Sequence, residues 1–147
     1  MHKGGIKLIE VTFDQNDLGT LKKTAAAIKT LSRYFNGEVL AGAGTVITVG
    51  QVEIAAEAGA RYIISPNTDP AVIQKTKELG LVSIPGAMTP SEIMAAHIAG
   101  ADFVKVFPAG NLGSGYIKAI RAPISHVRMM AVGGINEKNI GEFFEAG

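Results

Sequence analysis

Short apolar runs alternate with longer amphipathic stretches along this chain, and the change from one to the other falls at a glycine. The run Glu57-Ala58-Gly59-Ala60 precedes the apolar segment Tyr62 to Pro66, and Ile98-Ala99-Gly100-Ala101 precedes the segment Phe103 to Pro108. Glycine is typical of the residue that follows a helix, and runs of Val, Ile and Phe that end in proline predict strands. The pattern therefore predicts a series of helices that are each followed by a strand.

Six strands and five main helices follow from this alternation. The predicted strands are Ile6 to Phe13, Val39 to Val46, Arg61 to Ser65, Leu81 to Ile84, Phe103 to Phe107 and Val127 to Val132. The predicted helices are Asp17 to Tyr34, Val49 to Ala58, Pro70 to Leu79, Pro90 to Ala99 and Glu137 to Ala146, with a further short helix near Tyr116 to Ile120. Strict alternation with apolar strands indicates an α/β fold in which helices cover a parallel sheet.

The ends of the predicted strands favour a closed barrel over an open, doubly wound sheet. Proline or glycine stands at these ends beside residues capable of chemistry, as in a (β/α) TIM-barrel type fold, whose active site lies at the C-terminal ends of its strands. About six of the eight βα units of such a barrel are expected in this chain. We therefore expect residues 1–147 to form a single, incomplete barrel domain, and the natural product to carry one further strand before Ile6 and one after Gly147.

Composition excludes several classes of function. The 147 residues are 47% hydrophobic and 18% charged, as in ordinary globular proteins, and 14 basic against 13 acidic residues give a net charge of +1. So small a charge favours neither nucleic acid nor an anionic membrane as a partner, and no apolar run approaches the ~20 residues of a membrane span. The absence of cysteine rules out a disulfide framework and a thiolate metal site, and it is compatible with a cytoplasmic location. We expect a small-molecule substrate.

One lysine stands inside an apolar strand. Alternation places Phe103, Lys105 and Phe107 on one face of that strand and Val104 and Val106 on the other, and we expect both faces to be mostly buried. Burial of an ammonium group lowers its pKa, and a neutral amine can attack a carbonyl carbon to form a Schiff base. The alternative is a lysine that extends to solvent from the strand end or that forms a structural ion pair.

The first predicted strand carries an acid in a similar position. Leu8, Glu10 and Thr12 share one face of it. If that face lines a barrel interior, Glu10 is a buried carboxylate that could share a cavity with Lys105 and exchange protons with it. The alternative is a plain ion pair between the two side chains.

Several short motifs occur together along the chain. They are Glu10-Val11-Thr12, Gly42-Ala43-Gly44-Thr45-Val46, Ile64-Ser65-Pro66, Ile84-Pro85-Gly86, Thr89-Pro90-Ser91-Glu92, Lys105-Val106-Phe107-Pro108-Ala109 and Gly133-Gly134-Ile135. In order and spacing this set resembles the 2-keto-3-deoxy-6-phosphogluconate (KDPG) aldolase/4-hydroxy-2-oxoglutarate (KHG) aldolase family, over essentially the whole chain. The resemblance implies a homotrimeric, metal-independent class I aldolase without a cofactor, which cleaves KDPG to pyruvate and glyceraldehyde 3-phosphate, KHG to pyruvate and glyoxylate, or both.

The resemblance also implies roles for three residues in the chemistry. Lys105 is similar to the Schiff-base lysine of the family, and Glu10 is similar to its general acid/base. Thr45 resembles the residue that contacts the pyruvate carboxylate.

Four further residues resemble substrate-binding positions of the family. Pro66 is similar to a residue that lines the site at a strand end, and Phe107 to the apolar wall against the imine. Gly133 and Gly134 resemble one half of a phosphate cradle, in which backbone N–H groups approach the oxygens. Taken alone, this glycine pair is typical of an ordinary turn between a strand and a helix.

Three positions depart from the common pattern of the family. Asp14 stands where many members have an arginine that binds a substrate carboxylate, and Asp14 cannot supply that positive charge. Val132 and Asn67 resemble instead the branch that acts on 2-keto-3-deoxy-6-phosphogalactonate, which is the alternative substrate.

A different hypothesis is that the chain is not an enzyme but a catalytically incomplete structural barrel. Its basis is that an open set of strands leaves two edges unpaired.

Overall fold

The computed structural model describes residues 2–17 and 19–147. Its strands are β1 (Leu8–Thr12), β2 (Leu40–Gly44), β3 (Tyr62–Ile64), β4 (Val82–Ile84), β5 (Gly86–Ala87), β6 (Val104–Val106) and β7 (Met129–Ala131). Its α-helices are α1 (Thr20–Phe35), α2 (Val49–Glu57), α3 (Pro70–Glu78), α4 (Pro90–Ile98), α5 (Ala109–Leu112), α6 (Ser114–Arg121) and α7 (Ile140–Ala146), and a short 3₁₀ helix covers His2–Gly4. The predicted alternation of strands and helices is therefore present.

Neighbouring strands of the described residues are all parallel, in the orders β1-β2-β3-β4 and β5-β6-β7. The strand predicted at Leu81 to Ile84 is followed by a second short strand that the sequence pattern did not indicate. Pro85 separates β4 from β5, because proline has no N–H to donate to a sheet. Hydrogen bonding between the strands continues across this break. The N–H of Phe103 donates to the Ser83 carbonyl at 3.3 Å, and the N–H of Lys105 donates to the Pro85 carbonyl at 2.8 Å. The predicted α/β fold with a parallel sheet is confirmed.

Helix boundaries differ from the prediction mainly at the first turns. Helix α1 begins at Thr20 rather than at Asp17, because the Asp17 carboxylate accepts the N–H of Gly19 at 2.8 Å in a turn. Leu18, inside the predicted helix, lies outside the described residues. The last helix begins three residues later than the predicted start at Glu137, and the predicted short helix lies within α6.

The two faces of β6 have different environments. Val104 and Val106 are 1% and 0% exposed and pack in an apolar cluster with residues of α4 and α6. Phe103 and Phe107, on the face that carries Lys105, are 38% and 39% exposed. The expectation that both faces are mostly buried was wrong, because no element of the described chain covers this inner face as the helices cover the outer one. The inner face is thus accessible to a small molecule.

Within residues 2–17 and 19–147, no helix is both long and apolar enough to cross a membrane. The same residues contain no cluster of three or more His, Asp or Glu side chains that could hold a metal ion.

Candidate active site

Lys105 lies in the middle of β6, with a half-buried side chain on the inner face. Its Nζ lies 4.7 Å from the centre of the Phe107 ring. Burial lowers the pKa of the Lys105 amine below its usual value, because burial disfavours the charged form, and the negative charge of Glu10 offsets part of this effect. Lys105 forms no ion pair with another described residue, so the structural ion pair considered above is not present. The amine is closer to its neutral, nucleophilic form than an exposed lysine would be.

Glu10 lies on β1 and interacts electrostatically with Lys105. Burial raises the pKa of its carboxyl group, and the positive charge of Lys105 partly offsets that rise. The residue is nevertheless exposed overall, so the prediction of a buried carboxylate was wrong for the side chain as a whole: β1 is an edge strand of the described sheet. No hydrogen bond or ion pair within 4.0 Å joins Glu10 to Lys105. The two groups therefore influence each other across a gap.

Two glycines of β2 make room for side chains from the neighbouring strands. A Cβ atom at Gly44 would overlap the carboxyl group of Glu10, and one at Gly42 would overlap the ring of Tyr62. The sequence suggested that these glycines leave backbone accessible, whereas the structure shows that they accommodate a carboxylate and a phenol. Tyr62 was not predicted as a site residue, and the one available indication was a polar hydroxyl within the apolar run of β3.

Tyr62 adds a third ionisable group to the inner face. The residue is 6% exposed, and its hydroxyl forms no hydrogen bond to another described residue. Burial and the nearby charge of Glu10 raise the pKa of this phenol to about 12. Tyr62 is therefore neutral near pH 7 and keeps a proton that it can donate in a hydrogen bond.

Thr45 follows the last residue of β2 in a left-handed backbone conformation, with φ of 55°. Its carbonyl oxygen accepts a hydrogen bond from Gln15 Nε2 at 2.6 Å. Its side chain is half-buried, and the residue directly follows Gly44, whose position the Glu10 carboxyl group covers. Such a conformation is strained for a β-branched residue, and strain of this kind clusters at functional sites. Sequence analysis singled out Thr45 but could not foresee either its conformation or the contact with Gln15.

Pro66 and the glycine pair occupy two other strand ends. Pro66 is exposed after β3, and its carbonyl lies so close to Gly86 that no side chain would fit there. Gly133 and Gly134 follow β7 with φ of 87° and 76°, which residues other than glycine rarely adopt. Gly133 packs on the Phe107 ring, where an added Cβ would come within 3.0 Å. The pair therefore meets the strand that carries Lys105.

The backbone of the glycine pair serves both as a turn and as a possible anion contact. The Gly133 carbonyl accepts the N–H of Gly110 at 2.7 Å, and Asn139 Nδ2 donates to the Gly134 carbonyl at 2.9 Å. The N–H groups of Gly133 and Gly134 make no hydrogen bond to the described residues. Two unpaired N–H groups in a left-handed turn are suited to bind oxygens of an anion.

Asp14 has a local structural role. Its carboxylate accepts the N–H of Asn16 at 2.9 Å, and its carbonyl accepts the hydroxyl of Thr20 at 3.3 Å. These bonds shape the loop between β1 and α1. They supply no positive charge, so the absence of the arginine noted in the sequence is not compensated at this position.

An apolar cavity of about 290 Å³ lies elsewhere, between β7 and helices α6 and α7. Its lining includes Ile117, Met129 and Phe143 but neither Lys105 nor Glu10. Lys105 and Glu10 instead lie on the open inner face, where an amine with a lowered pKa and a carboxyl group with a raised pKa are combined. This combination suits covalent attack on a ketone with proton transfer alongside it.

Comparison with known proteins supports the same chemistry. A family model described as KDPG and KHG aldolase matches residues 1–147. A probable 2-dehydro-3-deoxy-6-phosphogalactonate aldolase of Rhizobium meliloti is 43% identical over 82% of this chain and 58% of its own length. A solved structure described as native KDPGal superposes with a TM-score of 0.88 at 30% identity, over 99% of this chain and 71% of that one.

A third relative shows covalent chemistry directly. The KDPG aldolase of Legionella pneumophila, solved with pyruvate captured as a covalent carbinolamine, superposes with a TM-score of 0.82 at 35% identity, over 96% of this chain and 66% of that one. The present chain spans 58 to 64% of the length of three curated relatives that it matches. The family model matches the whole chain, in agreement with the sequence motifs and the parallel α/β architecture. The chain therefore belongs to the KDPG/KHG aldolase family.

Proposed function

We propose that this chain contains the reaction centre of a class I aldolase that cleaves KDPG to pyruvate and glyceraldehyde 3-phosphate, KHG to pyruvate and glyoxylate, or both. The observation that carries the proposal is the electrostatic pairing of Lys105, whose pKa is lowered, with Glu10, whose pKa is raised. Ionisable groups perturbed in opposite directions on one open face are typical of acid–base and nucleophilic catalysis.

In the proposed reaction the neutral amine of Lys105 attacks C2 of the keto acid, and a carbinolamine forms. Loss of the C2 hydroxyl as water, with a proton supplied by Glu10, leaves an iminium ion. The Phe107 ring, 4.7 Å from Nζ, forms an apolar wall beside this group.

Cleavage uses the iminium as an electron sink. Glu10 accepts the proton of the C4 hydroxyl, the C3–C4 bond breaks, and its electron pair passes to the nitrogen as an enamine forms. The aldehyde leaves, the enamine takes a proton at C3, and water hydrolyses the resulting imine to release pyruvate and restore Lys105. No hydrogen bond or ion pair joins Glu10 to Lys105, so proton transfer between them would pass through water.

The other residues contribute binding. The Thr45 hydroxyl contacts the carboxylate of the keto acid, and Pro66 lines the rim of the site after β3. The unpaired N–H groups of Gly133 and Gly134 bind part of the phosphate of a phosphorylated substrate. Their position against Phe107 supports this role, because it places the turn beside the strand of Lys105.

Reductive trapping tests the proposal. The protein is incubated with pyruvate and borohydride, and the adduct is mapped by mass spectrometry. We expect a pyruvyl adduct on Lys105, and none in Lys105→Arg, whose guanidinium stays protonated and cannot act as the nucleophile. Absence of an adduct in the wild type would reject the proposal and favour the incomplete structural barrel.

A second candidate substrate is 2-keto-3-deoxy-6-phosphogalactonate. It is favoured by the 43% identity to the relative from Rhizobium meliloti, together with Asn67 and Val132 at the strand ends. The ratio of kcat/KM for the two C4 epimers separates the candidates. Preference for the gluconate epimer would reject the galactonate assignment.

Assembly and conditions complete the proposal. We expect a cytoplasmic homotrimer, active without a metal ion or other cofactor. Light scattering should give three times the chain mass of 15.3 kDa, activity should survive a chelator, and cell fractionation should place the protein with cytoplasmic enzymes.

A further inference from the structure

The backbone of Thr45 requires an explanation that its own side chain does not provide. Its φ of 55° lies in the left-handed region. Threonine is disfavoured there because its branched Cβ crowds the backbone, and such residues persist only where the surrounding structure holds them. The cause must therefore lie in the contacts of this segment.

A chain of three hydrogen bonds links the Thr45 carbonyl, through Gln15 and Gln51, to the backbone of Ile47. Gln15 Nε2 donates to it at 2.6 Å, Gln51 Nε2 donates to Gln15 Oε1 at 3.0 Å, and the N–H of Ile47 donates to Gln51 Oε1 at 2.8 Å. Gln51 is 7% exposed, and its own N–H donates to the Thr48 hydroxyl at 3.2 Å at the start of α2. The network is thus anchored in a buried side chain.

Backbone groups set the direction of this network at both ends. The Ile47 N–H can only donate, so Gln51 presents its oxygen to it and its NH₂ group to Gln15. The Thr45 carbonyl can only accept, so Gln15 presents its NH₂ group there. An amide is required at both positions, because a carboxylate at either would place two acceptor oxygens face to face.

We propose that Gln15 and Gln51 form a clamp that positions Thr45 to bind the carboxylate of the keto acid. This inference rests on the proposed function, in which the Thr45 hydroxyl makes that contact. The hydroxyl is free to do so, since it forms no hydrogen bond to another described residue. The clamp also joins the loop after β1, the strand of Glu10, to the loop after β2.

Substitution of each amide by an acid of the same shape tests the clamp. In Gln15→Glu and Gln51→Glu we expect the KM for the keto acid and the Kd for pyruvate to rise about tenfold, as for one lost hydrogen bond. The maximal rate of deuterium exchange at C3 of pyruvate should change less than about threefold, because the Lys105 and Glu10 chemistry is intact. Gln74→Glu, on the exposed face of α3, is the matched control and should change neither quantity. A fall in the maximal exchange rate with unchanged KM, or an equal effect in the control, would overturn the proposal.

A cycle of unfolding experiments tests the conformational part without any ligand. Urea unfolding is compared for the wild type, Gln15→Glu, Thr45→Gly and the double variant. Glycine adopts positive φ freely, so Gln15→Glu should destabilise the Thr45→Gly background less than it destabilises the wild type. Equal destabilisation in both backgrounds rejects the clamp. This result is independent of pyruvate trapping on Lys105, so failure of the proposed function and failure of the clamp are distinguishable.

Discussion

Glu10 and Tyr62 lie in one row of the sheet, on either side of Gly42. The strand register pairs Glu10 with Gly42 and Gly42 with Tyr62. Because Gly42 has no side chain, the Tyr62 ring extends over it, into the space that a Cβ atom would fill. The phenol thus lies between strands β1 and β3, beside the acid that we assign to proton transfer.

The first prediction concerns the ionisation of Tyr62. The phenolate absorbance of the wild type minus that of Tyr62→Phe should show a group that titrates at about 12 rather than at 10.0. Because the folded pKa is raised, the stability that Tyr62 contributes through this proton is fully present below pH 10.0 and is lost as the pH rises through about 12. A difference titration centred at pH 10.0, the ordinary pKa of a tyrosine, would contradict the burial of the phenol.

The second prediction concerns the space at Gly42. Gly42→Ala should lower the free energy of unfolding by roughly 1–3 kcal/mol, because the new methyl group overlaps the Tyr62 ring. Gly50→Ala is the matched control: Gly50 has open space around it in α2, so alanine there should be neutral or stabilise by up to about 1 kcal/mol. In a Tyr62→Ala background the cost of Gly42→Ala should largely disappear. Persistence of the full cost would show that something other than the ring fills this space.

The third prediction separates imine formation from proton transfer. Glu10→Gln removes the negative charge that raises the pKa of Lys105. The pKa of the amine should then fall further, and trapping of pyruvate on Lys105 should begin at a lower pH than in the wild type. Aldol cleavage should slow by roughly 10²- to 10⁴-fold, because the general acid/base is missing.

The control for this experiment is Glu57→Gln, which removes an exposed carboxylate from α2 and should alter neither property. Unchanged cleavage in Glu10→Gln would exclude Glu10 as the acid/base. An onset of trapping that moves to higher pH would contradict the electrostatic coupling of the two groups.

The fourth prediction concerns stability at acid pH. Burial alone would raise the pKa of Asp102, but hydrogen bonds from Lys77 Nζ at 2.6 and 2.7 Å and from the Ser83 N–H at 2.8 Å hold it below 3.8. The stability that it contributes is present above pH 3.8 and is lost as the pH falls through the lowered pKa. Asp102→Asn should be less stable by about 1–2 kcal/mol at pH 7, with the difference shrinking in acid.

Urea unfolding as a function of pH measures this difference. Glu145→Gln, which removes an exposed carboxylate from α7, is the control and should have little effect on stability. A difference between wild type and Asp102→Asn that stays constant down to strongly acid pH would contradict the assignment to Asp102.

Local patterns were sufficient to predict most of the strands and helices and to place the candidate lysine, Lys105, on a strand. The alternation of Val104 and Val106 with Lys105 is a property of consecutive residues, and it correctly placed the two valines on the face opposite Lys105, although it did not predict that only the valine face is buried. Helix boundaries were less predictable because side chains such as that of Asp17 form competing turns. The sequence did not predict the strand after Pro85, because an apolar run followed by proline and glycine is typical of the end of a strand.

The sequence by itself determined the α/β alternation, the family and the pairing of Lys105 with Glu10 as candidates, since these depend on periodicity and on short motifs. Only the tertiary structure decided that Tyr62 lies over Gly42, that the Glu10 carboxyl group lies over Gly44, and that Gln15 holds Thr45 with φ of 55°. Each of these relationships joins residues from different strands or loops. They depend on strand register and on the close approach of backbones, which are set by packing of the whole sheet and not by the neighbours of a residue along the chain.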